Sequence, residues 1–284
     1  MRVDYFTSQI LLTFVVFVAR NTKEGASYLT KSKLPEVDYC INPYIGCMHG
    51  CIYCYARFMK RFTNHSEEWG KFVDVKVNAV DVLEKELSRK PKRGQILLGS
   101  VTDAYQPAER SYGLTREILA VFLRYDFPIS ILTKSDLVTR DIDLLKQLCD
   151  CEVGLTITTF NEDASKKIEP LGSSPQKRID ALKLMHESGI KTYAFIGPIL
   201  PGITELKSIF SKLKGNVDFV MAESMNTGCG NWDEMISLIK KNYPDLAEIY
   251  QSKFGNSYWD DIESEIKKLC LEFEIPLKGF YRHR

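Results

Sequence analysis

The chain has 284 residues, 44% of them hydrophobic and 26% charged, the composition of a globular protein with a sizeable core. Its 38 Lys+Arg against 37 Asp+Glu leave a formal charge of +1, which argues against a non-specific nucleic-acid binder while leaving a local basic groove open. The 8 cysteines are too sparse for a disulfide scaffold; three of them crowd into Cys47, Cys51 and Cys54, which points to reduced thiols holding a metal in a cytoplasmic protein.

In chain order, "QILLTFVVFVA" (9–19) comes first. It is about half the ~20 apolar residues that a membrane span needs. Asp4 precedes it and no A-x-A site follows, so it departs from a signal peptide. Residues 1–26 therefore read as an N-terminal extension, or as the product of a start codon upstream of the true one. Strands are expected at 37–46, 94–102, 127–135, 152–160, 191–200 and 217–225. Most are near-continuously apolar, as in a parallel sheet buried on both faces.

Amphipathic helices are expected between them. In 81–90, Val82, Leu83 and Leu87 share a side, and 114–125 turns Ile118, Leu119 and Phe122 inward. In 176–189, Ile179, Leu182 and Met185 recur by three before Gly189, a good helix terminator. In 204–215, Leu206, Ile209, Phe210 and Leu213 repeat the pattern. Strands alternating with helices of this length form right-handed βαβ units. Six strands are too few for a closed eight-stranded barrel, so the expected fold is α/β, a partial (β/α)6 barrel over residues 27–230. A helical C-terminal extension, 231–284, packs on it through Trp232, Trp259 and Leu269.

In such folds ligands bind at the carboxyl ends of the strands. The cysteine loop follows the first strand; "TDAY" (102–105), "TKS" (133–135), "TTF" (158–160), "GPILPG" (197–202) and "ESMN" (223–226) follow the next five. All six should surround one mouth. The basic group Lys85, Arg89, Lys90, Lys92 and Arg93 precedes the second strand and should lie at the opposite end. By spacing alone, C-x3-C-x2-C leaves two readings open. One is a zinc site completed by Cys40, His49 or His65; the other, which the compact group favours, is a [4Fe–4S] cluster with one open iron position.

The stretch "INPYIGCMHGCIYCYAR" (41–57), with Tyr53 just before the third cysteine, resembles the signature of the radical S-adenosylmethionine (SAM) enzymes. With "TDAYQPAE" (102–109), "LTKS" (132–135), "IEPLGSSPQKRIDALKLMHESGI" (168–190) and "GPILPG", it is similar to the spore photoproduct lyase-like branch, also labelled DNA repair photolyase-like. The resemblance runs from about Ser27 to about Asn226. It implies a [4Fe–4S] cluster on Cys47, Cys51 and Cys54, with SAM chelating the fourth iron. Reduction, by an electron donor such as a flavodoxin or ferredoxin, cleaves SAM to a 5′-deoxyadenosyl radical that abstracts hydrogen from the substrate.

The same likeness assigns SAM contacts to Tyr53, Ser100, Thr102, Lys134, Thr156 and Thr158. Asp103, Tyr105 and Glu109 are expected to face the mouth, Tyr105 as a stacking or catalytic candidate. Glu169 and Arg178 read as a structural ion pair, and His49 as a surface or packing residue. Cys229, in "NTGCGNW" (226–232), is a candidate hydrogen-atom donor. True spore photoproduct lyases carry a donor cysteine near the second-strand "TD"; this chain has Ser100 there, so repair of that lesion itself is not expected. The substrate is expected to be a nucleic acid, or alternatively a peptide or small metabolite. A non-enzymatic zinc-binding interaction protein is the third reading. No membrane partner is expected.

Overall fold

The computed structural model describes residues 7–12, 15–22, 27–251 and 254–283, the first two stretches as backbone alone. Strands are β1 (Thr7–Leu12), β2 (Val15–Thr22), β3 (Thr30–Lys31), β4 (Tyr39–Ile41), β5 (Tyr44–Ile45) and β6 (Phe72–Lys76). They continue as β7 (Ile96–Leu98), β8 (Ile129–Thr133), β9 (Cys151–Thr156), β10 (Lys191–Ile196), β11 (Phe219–Glu223) and β12 (Leu277–Tyr281). Helices are α1 (Ala79–Leu87), α2 (Glu109–Tyr112), α3 (Leu114–Phe122), α4 (Ile142–Leu145) and α5 (Glu162–Ile168). Then come α6 (Pro175–Glu187), α7 (Leu206–Leu213), α8 (Trp232–Asn242), α9 (Ala247–Gln251) and α10 (Asn256–Phe273). A 3-10 helix, Tyr55–Phe62, directly follows the last clustered cysteine.

The main sheet runs β12-β11-β10-β9-β8-β7-β4-β3, parallel throughout except for the antiparallel β3. The six expected strands are β4 and β7 to β11, side by side in sequence order, the topology that right-handed crossovers build. Their outward residues, among them Leu98, Ile131, Val153, Leu155, Ala194 and Val220, are fully buried under helices. Leu83, Leu119, Phe122, Leu182, Met185, Phe210 and Leu213 meet them from the helical side, as their spacing required. Trp232 packs on Tyr250, and Trp259 and Leu269 are buried in the C-terminal helices.

Two differences from the expected fold bear on the site. The C-terminal segment does not stay helical: Leu277–Tyr281 returns as a seventh parallel strand beside β11. A five-residue strand that contains Lys278 and Gly279 is too short and too polar to announce itself by periodicity. The inward faces of the strands are also not packed like the outward ones. Ser130, Glu152, Thr156, Met221 and Glu223 face an internal cavity there. The segment 9–19 falls largely in β1 and β2, which pair antiparallel, and β2 joins β6 in a smaller sheet of order β1-β2-β6-β5. Residues 1–6, 13–14 and 23–26 of the expected extension lie outside the described residues. Among the described residues no helix is long and apolar enough to cross a membrane.

Candidate active site

The cysteine loop leaves β5 through Gly46, whose φ of +88° belongs to glycine. A Cβ there would meet the Phe72 carbonyl oxygen at 2.5 Å, so the loop passes closer to β6 than any side chain permits. Residues after β7 then clamp it. Thr102 donates to Gly46 O (2.6 Å), Gln106 donates to Gly46 O (3.2 Å) and to Thr102 Oγ1 (2.9 Å), and the Met48 amide donates to Gln106 Oε1 (2.8 Å). From the other side the Ile52 amide bonds Ile168 O (3.0 Å), while Arg57 and Asn231 both donate to Ile52 O (3.0 and 3.2 Å).

This clamp presents Cys47, Cys51 and Cys54 to one cavity of about 680 Å3 inside the barrel, which reaches the carboxyl ends of the strands. All three are free thiols. Burial raises the Cys47 thiol well above its ordinary value, and the nearby Asp103, Cys51 and Cys54 add to that. Burial likewise pushes Cys51 up to about 12, against the opposing charge of Lys134. Among the described residues no three His, Cys, Asp or Glu side chains converge on a point that holds one ion. Three thiols set around a shared cavity suit a multi-iron cluster, in which each thiolate binds a different iron. A cationic group is also what thiols with raised pKa need in order to bind as thiolates.

The polar wall beside the thiols comes from strand ends. Ser100 is positioned by Asn42 Nδ2 (3.0 Å), and Thr156 lines the cavity with its carbonyl held by Arg178 (2.9 Å). Lys134 leaves β8 into the cavity with Nζ 5.6 Å from the Tyr53 ring centroid. Burial alone would lower its pKa, but Cys51, Glu169 and Asp103 together hold it raised. Asp103 accepts from Thr133 (2.6 Å) and from the Lys134 amide (2.9 Å), and its Oδ2 lies 3.2 Å from His49 Nδ1. Burial works against ionised Asp103, but His49 and these hydrogen bonds outweigh it and lower its pKa. His49 Nδ1 is buried off the angle a hydrogen bond needs.

The structure brings Cys47, Cys51, Cys54, Tyr53, Ser100, Thr102, Lys134 and Thr156 to the cavity wall. Three candidates lie elsewhere. Thr158 turns away from the cavity, donating to Glu169 (2.9 Å) and Gly197 O (3.0 Å). Tyr105 is fully buried with its hydroxyl donating to Asp141 (3.1 Å), so it cannot stack on a ligand. Cys229 is half-buried outside the wall, its thiol directed to Asn231 Oδ1 (3.1 Å). Glu109, expected at the mouth, is fully buried against Arg140 (2.7 Å). Thr102 reaches the wall, but its hydroxyl is committed to the loop clamp. His49, expected to be surface or packing, lines the cavity. The Glu169–Arg178 pair is fully buried and takes the Tyr53 hydroxyl as a third member, tying the cysteine loop to α6.

No local signal in the sequence announces a further part of the cavity wall. Phe195 and Met221 from the strands meet Glu223, Tyr281 and His283 there. Phe195 and Tyr281 stack at 6.5 Å, and His283 bonds Glu223. Tyr281 and His283 arrive with β12, whose place in the sheet no local signal gives. Tyr55, beside the third cysteine, also lines the mouth, donating to Ser100 O. Deeper in, Tyr193 lies across Gly154, where a Cβ would come 2.2 Å from its ring.

Comparison with known proteins gives the family and the fold. Residues 41–207 match the model of the Radical SAM superfamily. An uncharacterized protein of Methanocaldococcus jannaschii, MJ0683, is 41% identical over 257 residues, covering 90% of this chain and 94% of that one. A radical SAM Nα-GlyT isomerase of Pseudomonas phage M6 is 26% identical over 219 residues, 75% of this chain and 45% of that one. A spore photoproduct lyase mutant superposes with a TM-score of 0.65 at 18% identity, covering 93% of this chain and 81% of that one. The chain belongs to the Radical SAM superfamily.

Proposed function

We propose that this chain binds a [4Fe–4S] cluster on Cys47, Cys51 and Cys54, binds SAM beside it, and abstracts hydrogen from a nucleotide unit of a nucleic acid. When bound, the cluster and SAM together supply a 5′-deoxyadenosyl radical; the protein's task is to bind, orient and exclude water. The observation that carries the reading is the single cavity that three thiols share with Ser100, Lys134 and Thr156. Lys134 suits a carboxylate, as a compact cation held charged by Cys51, Glu169 and Asp103. Thr156 and Ser100 offer hydroxyls from adjacent parts of the same wall. Asp103, His49, Gln106 and Tyr53 hold the loop and Lys134 in place and are positioning residues.

The nucleic-acid substrate is supported by two features. The same cavity is lined by the stacked Phe195 and Tyr281 and by Glu223, flat faces with an acceptor for a ring N–H. Spore photoproduct lyase, whose fold this chain shares, is also known complexed with dinucleoside spore photoproduct. A base inside a duplex must be extruded to reach such a pocket. Among the described residues the thiols on the cavity wall are those of the cluster loop, with Ser100 beside them, which supports a reaction other than lyase repair that draws hydrogen from a nearby thiol.

The test is anaerobic turnover of the reconstituted protein with SAM and dithionite, comparing single-stranded oligonucleotides deuterated on sugar and base with mixed peptides. The expected result is 5′-deoxyadenosine whose formation rises with oligonucleotide and which carries deuterium from it. Stimulation by peptide alone would move the substrate to that class. Zinc without labile sulfide, and no 5′-deoxyadenosine, would return residues 47–54 to a structural role.

A further inference from the structure

The 3-10 helix Tyr55–Phe62, "YARFMKRF", has no acidic residue and exposes three aromatic rings. Tyr55 is 48%, Phe58 41% and Phe62 66% exposed. Isolated exposed apolar residues are ordinary, but these sit on one eight-residue element. In a 3-10 helix residues i and i+3 eclipse. Tyr55, Phe58 and Arg61 therefore form one row, with successive members about 6 Å apart along the axis at a rise of ~2.0 Å per residue. Phe62 flanks its end: the Arg61 guanidinium lies 4.6 Å from the Phe62 centroid and 5.5 Å from that of Phe58. Among the described residues no carboxylate lies within ion-pair distance of Arg61, whereas Arg57 pairs with Glu234 (3.0 Å). The row starts inside the mouth, where Tyr55 lines the cavity.

We propose that this helix is a stacking platform for single-stranded nucleic acid flanking the nucleotide that enters the cavity; the proposal rests on the nucleic-acid reading above. Aromatic rings interleaved with Arg and Lys bind a strand without choosing its sequence, because every base has a π-face and every linkage a charge. An acidic protein would use Lys60 and Arg61 but would leave the row of flat rings unexplained. The row begins at the cavity wall with Tyr55, so a strand lying along it has one end at the cavity.

The test uses the full-length, cluster-reconstituted protein and fluorescein-labelled single-stranded DNA and RNA 12-mers, with anisotropy read over a range of salt. Phe58→Ala and Phe62→Ala should each weaken binding about five-fold or more. Arg61→Ala should lower the slope of log K against log salt by about 0.7. Uncoupled 5′-deoxyadenosine formation should be unchanged in all three. If wild type binds the 12-mers and the variants bind them equally well, the platform is wrong while the nucleic-acid reading stands. If wild type binds no oligonucleotide yet mononucleotides stimulate turnover, the platform is again wrong and the reading narrows to nucleotides. Neither binding nor stimulation overturns both. Unchanged oligonucleotide binding, with loss of reduction by flavodoxin but not by dithionite, would make the helix an electron-donor face and overturn the platform.

Discussion

Two buried charged clusters lie behind and beside the loop after β7, and they differ in one respect. Behind it, Glu109 and Asp141 are fully buried and saturated. Arg140 bonds both (2.7 and 2.8 Å), Arg116 bonds Asp141 (2.9 Å), the Thr115 amide bonds Glu109 (2.9 Å), and the Tyr44 and Tyr105 hydroxyls complete the set. In the cavity, the charges of Asp103 and Lys134 sit beside thiols pushed up by burial and a His49 Nδ1 without a hydrogen bond. Buried polar groups are normally satisfied, and those that are not need an explanation. The saturated cluster has no capacity left for a ligand and holds loops together. The cavity cluster keeps capacity that a cofactor can take up.

The largest effect that sharpens this contrast is expected from Cys51→Ala. The reconstituted protein should lose its iron–sulfur absorbance and its 5′-deoxyadenosine should fall to background, while the apoprotein melts where wild-type apoprotein does. Equal loss of fold would make the thiols part of the core and erase the distinction.

Arg140→Met acts on the other cluster. It strands Glu109 and part of Asp141, and removing one partner of a buried pair costs about 3 kcal/mol. In a chain of this size that lowers Tm by roughly 6–12 °C, with activity per folded molecule kept. A change confined to turnover would place this cluster in the chemistry.

Lys134→Met should do the reverse, weakening SAM binding about ten-fold through loss of one charge-assisted hydrogen bond. Tm should stay within a degree or two, and equilibrium binding to the loaded protein separates the two readouts.

The smallest effect concerns the Glu223–His283 pair on the cavity wall. The hydrogen bond that His283 donates to Glu223 raises the histidine above its ordinary value of 6.5, with partial burial opposing. A raised histidine stabilises fully below its unfolded value and loses that stabilisation as pH rises through the folded one. The stability of wild type over His283→Gln should therefore be greatest below about pH 6 and shrink as pH rises above about 6.5. Urea melts at several pH values measure it, and a difference flat in pH would remove the pair as an ionic contact.

The three thiols of one loop were legible in the sequence, because Cys47, Cys51 and Cys54 lie within eight residues and their spacing is local. So were the six successive strands, as near-continuous apolar runs, and four of their helices, since burial on one face leaves a 3.6-residue period. Lys134 was legible because it ends one of those apolar runs. Tertiary structure alone decided which polar residues face the cavity. Thr156 and Thr158 alternate along one chain, yet one lines the cavity and the other bonds Glu169. Tyr105 and Glu109 sit in a mouth motif but turn to Asp141 and Arg140. The return of Leu277–Tyr281 to the sheet, which brings Tyr281 and His283 to the cavity wall, joins residues more than fifty positions from β11. Direction of a side chain and pairing of distant strands depend on packing across the whole barrel, and no window of local sequence contains it.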